Sequence, residues 1–301
     1  MMGSAVLWRS VAEWYRAHGR DLPWRRTQDP YRIVVSEFML QQTQVDRVVP
    51  LYGGFMKAFP DWKTLAGARQ ADVVRAWKGL GYNLRAVRLK KMAEEIMAKH
   101  GGRLPADREA LLGLKGIGPY TARAIGVFAF RQRVLAPDTN IRRVLNRVFM
   151  GPLADPKIFD EVVWGRWEAS LPAALSYDVN QGLMDIGSSA CKAAHPDCER
   201  CPLRRLCRSY PRILTMKASL PRQKNARKER VDAFGVPNRI YRGRVVEALR
   251  TGPVADAELD ALGRKVRQTY GASDRAWLEN VLGGLEKDGL VTRGKRGWKL
   301  A

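Results

Sequence analysis

Apolar residues recur every three or four positions through most of the first 210 residues, the spacing that turns one side of an α-helix towards a core. The alternation typical of strands is almost absent there. The helical spacing returns after residue 238 and predicts three helices, with apolar positions in 245–249, 259–262 and 277–285. Two short runs, 290–292 and 298–300, flank a turn at 294–297 and predict a two-stranded ribbon. The pattern therefore predicts an all-α protein whose C-terminal part has the element order of a winged helix.

Glycine and proline separate the predicted helices. The apolar positions 40, 45, 48 and 49 share one face, which predicts a single helix after Ser36. Positions 73, 74, 77 and 80 predict another helix that ends before Gly81. Positions 89, 92, 96 and 97 predict a third, which Gly101 ends because glycine readily adopts the left-handed C-terminal conformation.

The composition changes between residues 211 and 237. Seven Lys or Arg and a single acid, Glu229, stand in 212–230 with few apolar residues. Such a segment is typical of a flexible basic linker, either a solvated tether or a contact for phosphates. We therefore expect one domain over 1–210, a basic linker over 211–237 and a winged-helix-like domain over 238–301.

The charge balance indicates a polyanionic partner. Lys and Arg number 53 and Asp and Glu 30, a formal net charge of +23. Nucleic acid is the first candidate for such a surplus and an anionic membrane the second. The longest apolar run, around 124–130, is far shorter than the roughly 20 residues of a membrane span, and no secretory signal is expected. These features predict an intracellular protein that binds nucleic acid.

The four cysteines lie together rather than spread over the chain. They have the spacing Cys191-x6-Cys198-x2-Cys201-x5-Cys207. A disulfide framework normally spreads its bridges across the fold, so this crowding indicates a metal centre. Four thiolates suit either zinc or an iron–sulfur cluster, and ligand softness does not separate the two.

A turn rich in glycine follows a short predicted helix. Gly116, Ile117 and Gly118 precede Pro119, a residue favoured at the first position of a helix. Backbone N–H groups at such a helix start can bind a phosphate, which is how a helix-hairpin-helix contacts DNA. An ordinary interhelical turn has the same local sequence.

Two carboxylates stand in positions of interest. Asp138 precedes a predicted helix, where it is either an N-cap or a reacting group. Glu37 lies in an apolar run, where burial would raise its pKa and keep it protonated near neutral pH. The alternative for Glu37 is a first-turn residue of a helix capped by Ser36.

Taken together, these motifs resemble the endonuclease III and MutY group of helix-hairpin-helix DNA glycosylases over about residues 8–208. The resemblance implies an all-α, two-lobed fold, with a helical barrel over 22–131 and a cluster lobe made of 1–21 and 132–210. It also implies a [4Fe–4S] cluster on the four cysteines, with zinc as the alternative.

The same resemblance assigns roles in catalysis. Asp138 corresponds to the catalytic carboxylate, oriented by Asn140, and Glu37 to the acid that protonates adenine. Tyr120 stands where bifunctional members carry the lysine that forms a Schiff base. The resemblance therefore implies a monofunctional enzyme without an efficient lyase step.

The resemblance also assigns contacts to DNA. A base must be flipped out of the stack before its bond to the sugar is cut. Residues expected at the DNA, apart from the hairpin Gly116, Ile117 and Gly118, are Gln42, Thr43 and Tyr82. Those expected in the pocket for the flipped base are Arg20, Trp24 and Arg25.

One part of the sequence departs from this family. MutY proteins usually end in a domain related to Nudix hydrolases, whereas 230–301 is too short for it and has a different pattern. Adenine opposite guanine or 8-oxoguanine is the substrate that the resemblance implies. Because the Nudix-like pattern is missing, no strict preference for 8-oxoguanine is expected. The alternatives are a thymine or uracil glycosylase for T·G and U·G mismatches, and a non-catalytic iron–sulfur regulator that binds DNA. We expect a monomer bound to mismatched duplex DNA.

Overall fold

The computed structural model describes residues 2–152, 161–216, 231 and 235–301. Within them most residues are helical, and the strands are confined to the C-terminal end, which confirms the predicted fold class. In chain order the helices are α1 (Met2–His18), α2 (Pro30–Leu40), α3 (Val45–Ala58), α4 (Trp62–Gly67), α5 (Gln70–Ala76), α6 (Leu84–His100), α7 (Arg108–Gly113), α8 (Pro119–Phe128), α9 (Thr139–Phe149), α10 (Glu161–Ala169), α11 (Ser176–Ser189), α12 (Arg212–Thr215), α13 (Asn238–Arg250), α14 (Leu259–Val266) and α15 (Arg275–Lys287). The strands are β1 (Val291–Gly294) and β2 (Gly297–Leu300).

The first of two compact units contains 2–33, 106–113, 117–152 and 161–216. Its core is formed where α1 and α9 pack against α11. Two glycines of α11 make this packing possible. A Cβ on Gly182 would lie 2.8 Å from a methyl carbon of Val11, and one on Gly187 would lie 2.6 Å from Cβ of Asn140. The close approach at Gly187 holds the start of α9 directly against α11.

The second unit contains 34–105, 114–116, 231 and 235–301. In it α4 and α5 pack against α6, and α13, α14 and α15 pack together with an antiparallel pair of strands, in which Val291 lies opposite Leu300. The turn between the strands depends on Gly297, whose φ is 102° and whose Cβ would lie 2.1 Å from the carbonyl oxygen of Val254. The predicted three helices and ribbon are thus present in the expected order.

The prediction of a single helix after Ser36 is wrong. Helix α2 begins at Pro30 and ends at Leu40, and α3 begins at Val45, so residues 41–44 form a turn. Ser36 is therefore an internal residue, 1% exposed, and does not cap a helix that would have placed Glu37 in its first turn. The helix expected up to position 80 also ends early, at Ala76. By contrast, α6 ends as predicted, with Gly101 at a φ of 58°.

The expected domains, 1–210, 211–237 and 238–301, stay a prediction, and the two compact units divide the chain in another way. The second unit holds 34–105 of the predicted barrel, 22–131, together with the C-terminal residues that we expected to form a separate domain. The predicted linker, 211–237, begins with the short helix α12, while 217–230 and 232–234 lie outside the described residues. No helix in the described part of the chain is long and apolar enough to cross a membrane.

Candidate active site

Asp138 is the N-cap of α9, as its local sequence predicts. One carboxylate oxygen accepts the backbone N–H of Ile141 at 2.6 Å, and the other accepts the Asn140 side-chain amide at 2.9 Å. Burial raises the pKa of Asp138, although these two bonds and the charge of Arg143 act in the opposite direction. The cap and the chemical role are therefore compatible, because the same bonds fix the direction of the carboxylate.

Asn140 connects Asp138 to an arginine on the same helix. The Arg143 guanidinium donates to the side-chain oxygen of Asn140 at 2.7 Å, so the amide nitrogen of Asn140 faces Asp138. The same guanidinium also donates to the carbonyls of Gly187 and Cys191, each at 2.7 Å. Burial lowers the pKa of Arg143. The sequence analysis did not single out Arg143.

Helix α9 also binds the cysteine loop one turn further on. Arg147 donates to the carbonyls of Lys192 and Ala193, each at 2.7 Å. Since Arg143 and Arg147 are four residues apart, they lie on one face of the helix. The helix that begins at Asp138 is therefore attached by two arginines to the loop that carries the cysteines.

The four cysteines line one small cavity together with Arg147, Arg204, Tyr210 and apolar residues. Burial, and then the proximity of the other three cysteines, raises the pKa of Cys201 to about 12. Burial also raises the pKa of Cys207. Four thiolates in this cavity would need a cationic centre to be stable. Among the described residues, no three His, Cys, Asp or Glu side chains converge closely enough to hold a single metal ion.

Glu37 lies in α2 and is 8% exposed, between Ser36 and Phe38, which are fully buried. Its carboxylate is therefore largely removed from solvent, as the apolar run predicted. Glu37 belongs to the second unit and Asp138 to the first. That the two line a common pocket remains a prediction.

Two of the three residues expected in the base pocket, Arg20 and Arg25, bind an acid that the sequence analysis did not single out. Trp24, in a short 3-10 helix, is 8% exposed. Arg25 donates to both carboxylate oxygens of Asp185, at 2.7 and 2.9 Å, and Arg20 donates to one of them at 2.7 Å. Burial opposes ionisation of Asp185, but the bonds from Arg25 and Arg20 outweigh it and lower its pKa. The structure thus gives both arginines a buried protein partner, and their contact with a base remains a prediction.

The hairpin between α7 and α8 contains two glycines with different requirements. Gly116 has a φ of 97°, and a Cβ there would lie 2.9 Å from the ring of Phe38, so the fold itself requires glycine. Gly118, the N-cap of α8, has a φ of −97° and would bring a Cβ within 4 Å of no protein atom. Ile117 between them is buried, and Tyr120 lies half-buried in the first turn of α8. The fold therefore explains Gly116 and leaves Gly118 without a structural reason.

The turn after α2 and the turn before α6 carry the residues expected to enter DNA. Gln42 is exposed with a φ of 57°, and Tyr82 is 43% exposed with a φ of 45°. Positive φ is uncommon for residues other than glycine and indicates turns held by their surroundings. Thr43 is not available in the same way, because its hydroxyl donates to the carbonyl of Leu80 at 3.2 Å. Thr43 therefore ties the two turns together.

Arg85 holds the turn after α2 and the turn before α6 in place, and the sequence analysis did not identify it. Its guanidinium is buried and donates to six acceptors. These are the carbonyls of Phe38, Met39, Gln41, Leu80 and Gly81 and the hydroxyl of Thr43, at 2.5–3.1 Å. Three of these carbonyls lie at and just beyond the C-terminal end of α2, where helical bonding stops. Burial lowers the pKa of Arg85 to about 10, so the side chain stays charged at neutral pH. This charge explains why α2 ends at Leu40 although the apolar pattern continues.

Comparison with known proteins agrees with this arrangement. Residues 35–169 match the HhH-GPD superfamily of base excision DNA repair proteins. An adenine DNA glycosylase from Mycolicibacterium smegmatis is 37% identical over 286 residues, which cover 93% of this chain and 91% of that protein. A thymine/uracil-DNA glycosylase from Methanothermobacter thermautotrophicus is 31% identical, over 68% of this chain and 94% of its own length.

Solved structures show the same similarity. The structure of a thermostable thymine-DNA glycosylase superposes with a TM-score of 0.65 at 30% identity and covers 70% of this chain and 98% of its own. The match to the mycobacterial protein extends over almost the whole of both chains. The chain therefore belongs to the HhH-GPD superfamily of base excision DNA repair proteins and, within it, to the adenine DNA glycosylase family.

Proposed function

We propose that this protein is a monofunctional DNA glycosylase that hydrolyses the bond between deoxyribose and an adenine mispaired with guanine or 8-oxoguanine. The extent of the similarity carries this proposal. The mycobacterial adenine glycosylase matches 93% of this chain, including most of its C-terminal third. The thymine/uracil glycosylase is matched over 94% of its own length by 68% of this chain, so almost nothing of it is left to correspond to the remainder.

The two carboxylates supply the chemistry that this reaction needs. Cleavage builds positive charge on the sugar and negative charge on the leaving base. Asp138, held by Ile141 and Asn140, would stabilise the sugar and assist the attacking water. Glu37, largely removed from solvent, would protonate the adenine ring. Tyr120 has no amine, so a Schiff base with the sugar cannot form at that position.

We propose that the cysteine cavity holds a [4Fe–4S] cluster, as the family resemblance implies, with zinc as the alternative. In a tetrahedral zinc site all four sulfurs lie about 2.3 Å from one ion. All four cysteines line one cavity, which fits a group held by four thiolates. A four-iron cluster takes one thiolate on each iron, and its sulfurs therefore stand further apart. When bound, the cluster would neutralise the thiolates and brace the loop to which Arg143 and Arg147 attach α9.

Mismatched duplex DNA is the proposed partner. Gly118 leaves open space at the start of α8, where a DNA phosphate could approach the backbone. Exposed Gln42 and Tyr82 stand on turns suited to entering the gap left by a flipped base. The chain is proposed to act as a monomer.

A panel of duplexes tests the proposal. Purified protein would be incubated in excess over duplexes containing A·G, A·8-oxoguanine, T·G or U·G, and base release would be followed under single-turnover conditions. We expect release of adenine from the first two. Release of thymine or uracil alone would favour the second candidate, which the 31% identity to a thymine/uracil glycosylase supports. Binding without release of any base would favour the non-catalytic regulator.

A further inference from the structure

A cleft of about 940 Å³ lies within the second unit, beside the turns that carry Gln42 and Tyr82. One wall is formed by residues 41–47 and 80–88, and the other by 239–247 of α13 with 285, 288 and 290. Small-molecule pockets span roughly 300–1,000 Å³, so this volume lies at the upper end and suits a segment of a polymer. No role assigned so far accounts for the wall contributed by α13.

The cleft is strongly basic, and its charge comes from arginine alone. Its lining contains two acids and six arginines, Arg47, Arg85, Arg88, Arg239, Arg242 and Arg244. Both acids are already neutralised: Asp288 pairs with Arg242, and Glu247 pairs with Lys78 and Arg250 outside the lining. Arg47 and Arg88 are exposed, and the described contacts include no ion pair for either. Guanidinium groups bind phosphate oxygens in pairs, so this surface fits a phosphodiester backbone.

The C-terminal helices are fixed in place beside the Tyr82 turn. The Arg250 side chain, 7% exposed, donates to the carbonyl of Arg75 at 3.0 Å and to the side-chain oxygen of Asn83 at 2.8 Å. Gln70 donates to the carbonyl of Gly289. Because Asn83 directly follows Tyr82, these bonds hold α13 at a defined distance from the turn that carries Tyr82. The cleft is therefore a built feature of the second unit.

Contacts across the cleft connect its two walls. The guanidinium carbon of Arg239, on α13, lies 5.7 Å from the centre of the Tyr82 ring. In the ribbon, by contrast, Arg293 forms an ion pair with Asp256 at 2.9 Å. The arginines of α13 thus line the cleft, whereas Arg293 of the ribbon is engaged in an ion pair.

We infer that this cleft binds the sugar–phosphate backbone of the DNA strand opposite the excised base, so that the C-terminal domain acts as a fixed clamp on that strand. The inference rests on the proposed function, which places Gln42 and Tyr82 at the gap left by the flipped base. Phosphates next to that gap would then face Arg47 and Arg88 on one wall and Arg239 and Arg244 on the other. In this arrangement α13, the first of the three C-terminal helices, would contact the strand.

The test uses the full chain and two double variants. Arg88→Gln with Arg239→Gln removes one charge from each wall, and Arg264→Gln with Lys265→Gln removes two exposed charges from α14, away from the cleft. Affinity for an A·G duplex would be measured between 50 and 200 mM salt. Each phosphate contact contributes about 0.9 to the slope of log K against log salt, so we expect the cleft variant to lose nearly 2 units of slope and about tenfold in affinity. The α14 variant should match the wild type.

Neutral methylphosphonate linkages then identify the strand. Placed beside the orphan base, they should weaken binding of the wild type and have little further effect on the cleft variant. An equal response in both proteins, an effect confined to linkages on the adenine strand, or a loss carried by Arg296→Gln in the ribbon instead would overturn the inference. Failure of the proposed function is separate, because it would appear as wild-type protein that releases no adenine, whatever its salt slope.

Discussion

Arg85 provides the sharpest test of how the fold holds the turns that carry Gln42 and Tyr82. Arg85→Met keeps a long apolar stem and removes every donor. The five carbonyls at 2.5–3.1 Å would then lose a charged partner, three of them at the end of α2. Bonds to charged groups contribute about 1.5–3 kcal/mol each, but they do not add here, because the variant is also spared the cost of burying a charge.

A buried acceptor left without a donor costs about 1–3 kcal/mol, so with some of the five carbonyls re-paired we expect a total loss of about 3–5 kcal/mol. At about 2–4 °C per kcal/mol for a protein of this class, the Tm should fall by roughly 6–20 °C. Thermal unfolding followed by circular dichroism measures this. Lys91→Met, an exposed position on the same helix, is the matched control for loss of one positive charge. Arg85→Lys separates charge from geometry, since a compact ammonium cannot reach both turns and should recover little.

The loss of Arg85 should also weaken binding to DNA. If Arg85 holds Gln42 and Tyr82 in their positive φ conformations, Arg85→Met should weaken mismatch binding even at temperatures where the variant is fully folded. A Tm for Arg85→Met that equals that of Lys91→Met would refute the reasoning, because it would mean that the carbonyls find other partners without cost.

Three further predictions follow from the same geometry. Asp138→Asn should abolish adenine release while mismatch binding persists. Because burial raises the pKa of Asp138, its ionisation lowers the stability of the wild type above about pH 3.9. Unfolding in urea at pH 7 should therefore show the variant to be as stable as the wild type or more so. Asp185→Asn should lower the free energy of unfolding by about 3 kcal/mol at pH 7, because it leaves buried Arg25 without a counter-charge. Since the pKa of Asp185 is lowered in the folded protein, the difference in stability between the variant and the wild type should shrink only when the pH falls below about 3.9. Product strands from the wild type should break only after hot alkali, since Tyr120 offers no amine, and breakage without alkali in a gel assay would contradict this.

The parts of the fold that local sequence determines were predictable. The C-terminal helices follow from an apolar repeat, the end of α6 follows from Gly101, and Gly297 forms a turn that other residues could not enter. Asp138 as an N-cap follows from residue type and position alone. In such places the neighbours in sequence are also the neighbours in space.

The sequence analysis failed where distant residues decide the local structure. The break between α2 and α3 depends on Arg85, which lies 44 positions after Gln41. The partner of Arg25 is Asp185, 160 positions away. Apolar spacing gives no information about either partner. It therefore predicted that the helix continues through 41–44, and it did not predict the carboxylate that binds Arg20 and Arg25.

Gly118 has a consequence for how variants of this protein would be judged. Serine is a better N-cap than glycine, and nothing in the protein would obstruct its side chain. A screen for thermal stability would therefore accept Gly118→Ser and reject changes at Gly116, where the backbone and Phe38 leave no choice. If a DNA phosphate occupies the space beside residue 118, the accepted change is the one that damages repair, and folding assays alone would classify a harmful allele as benign.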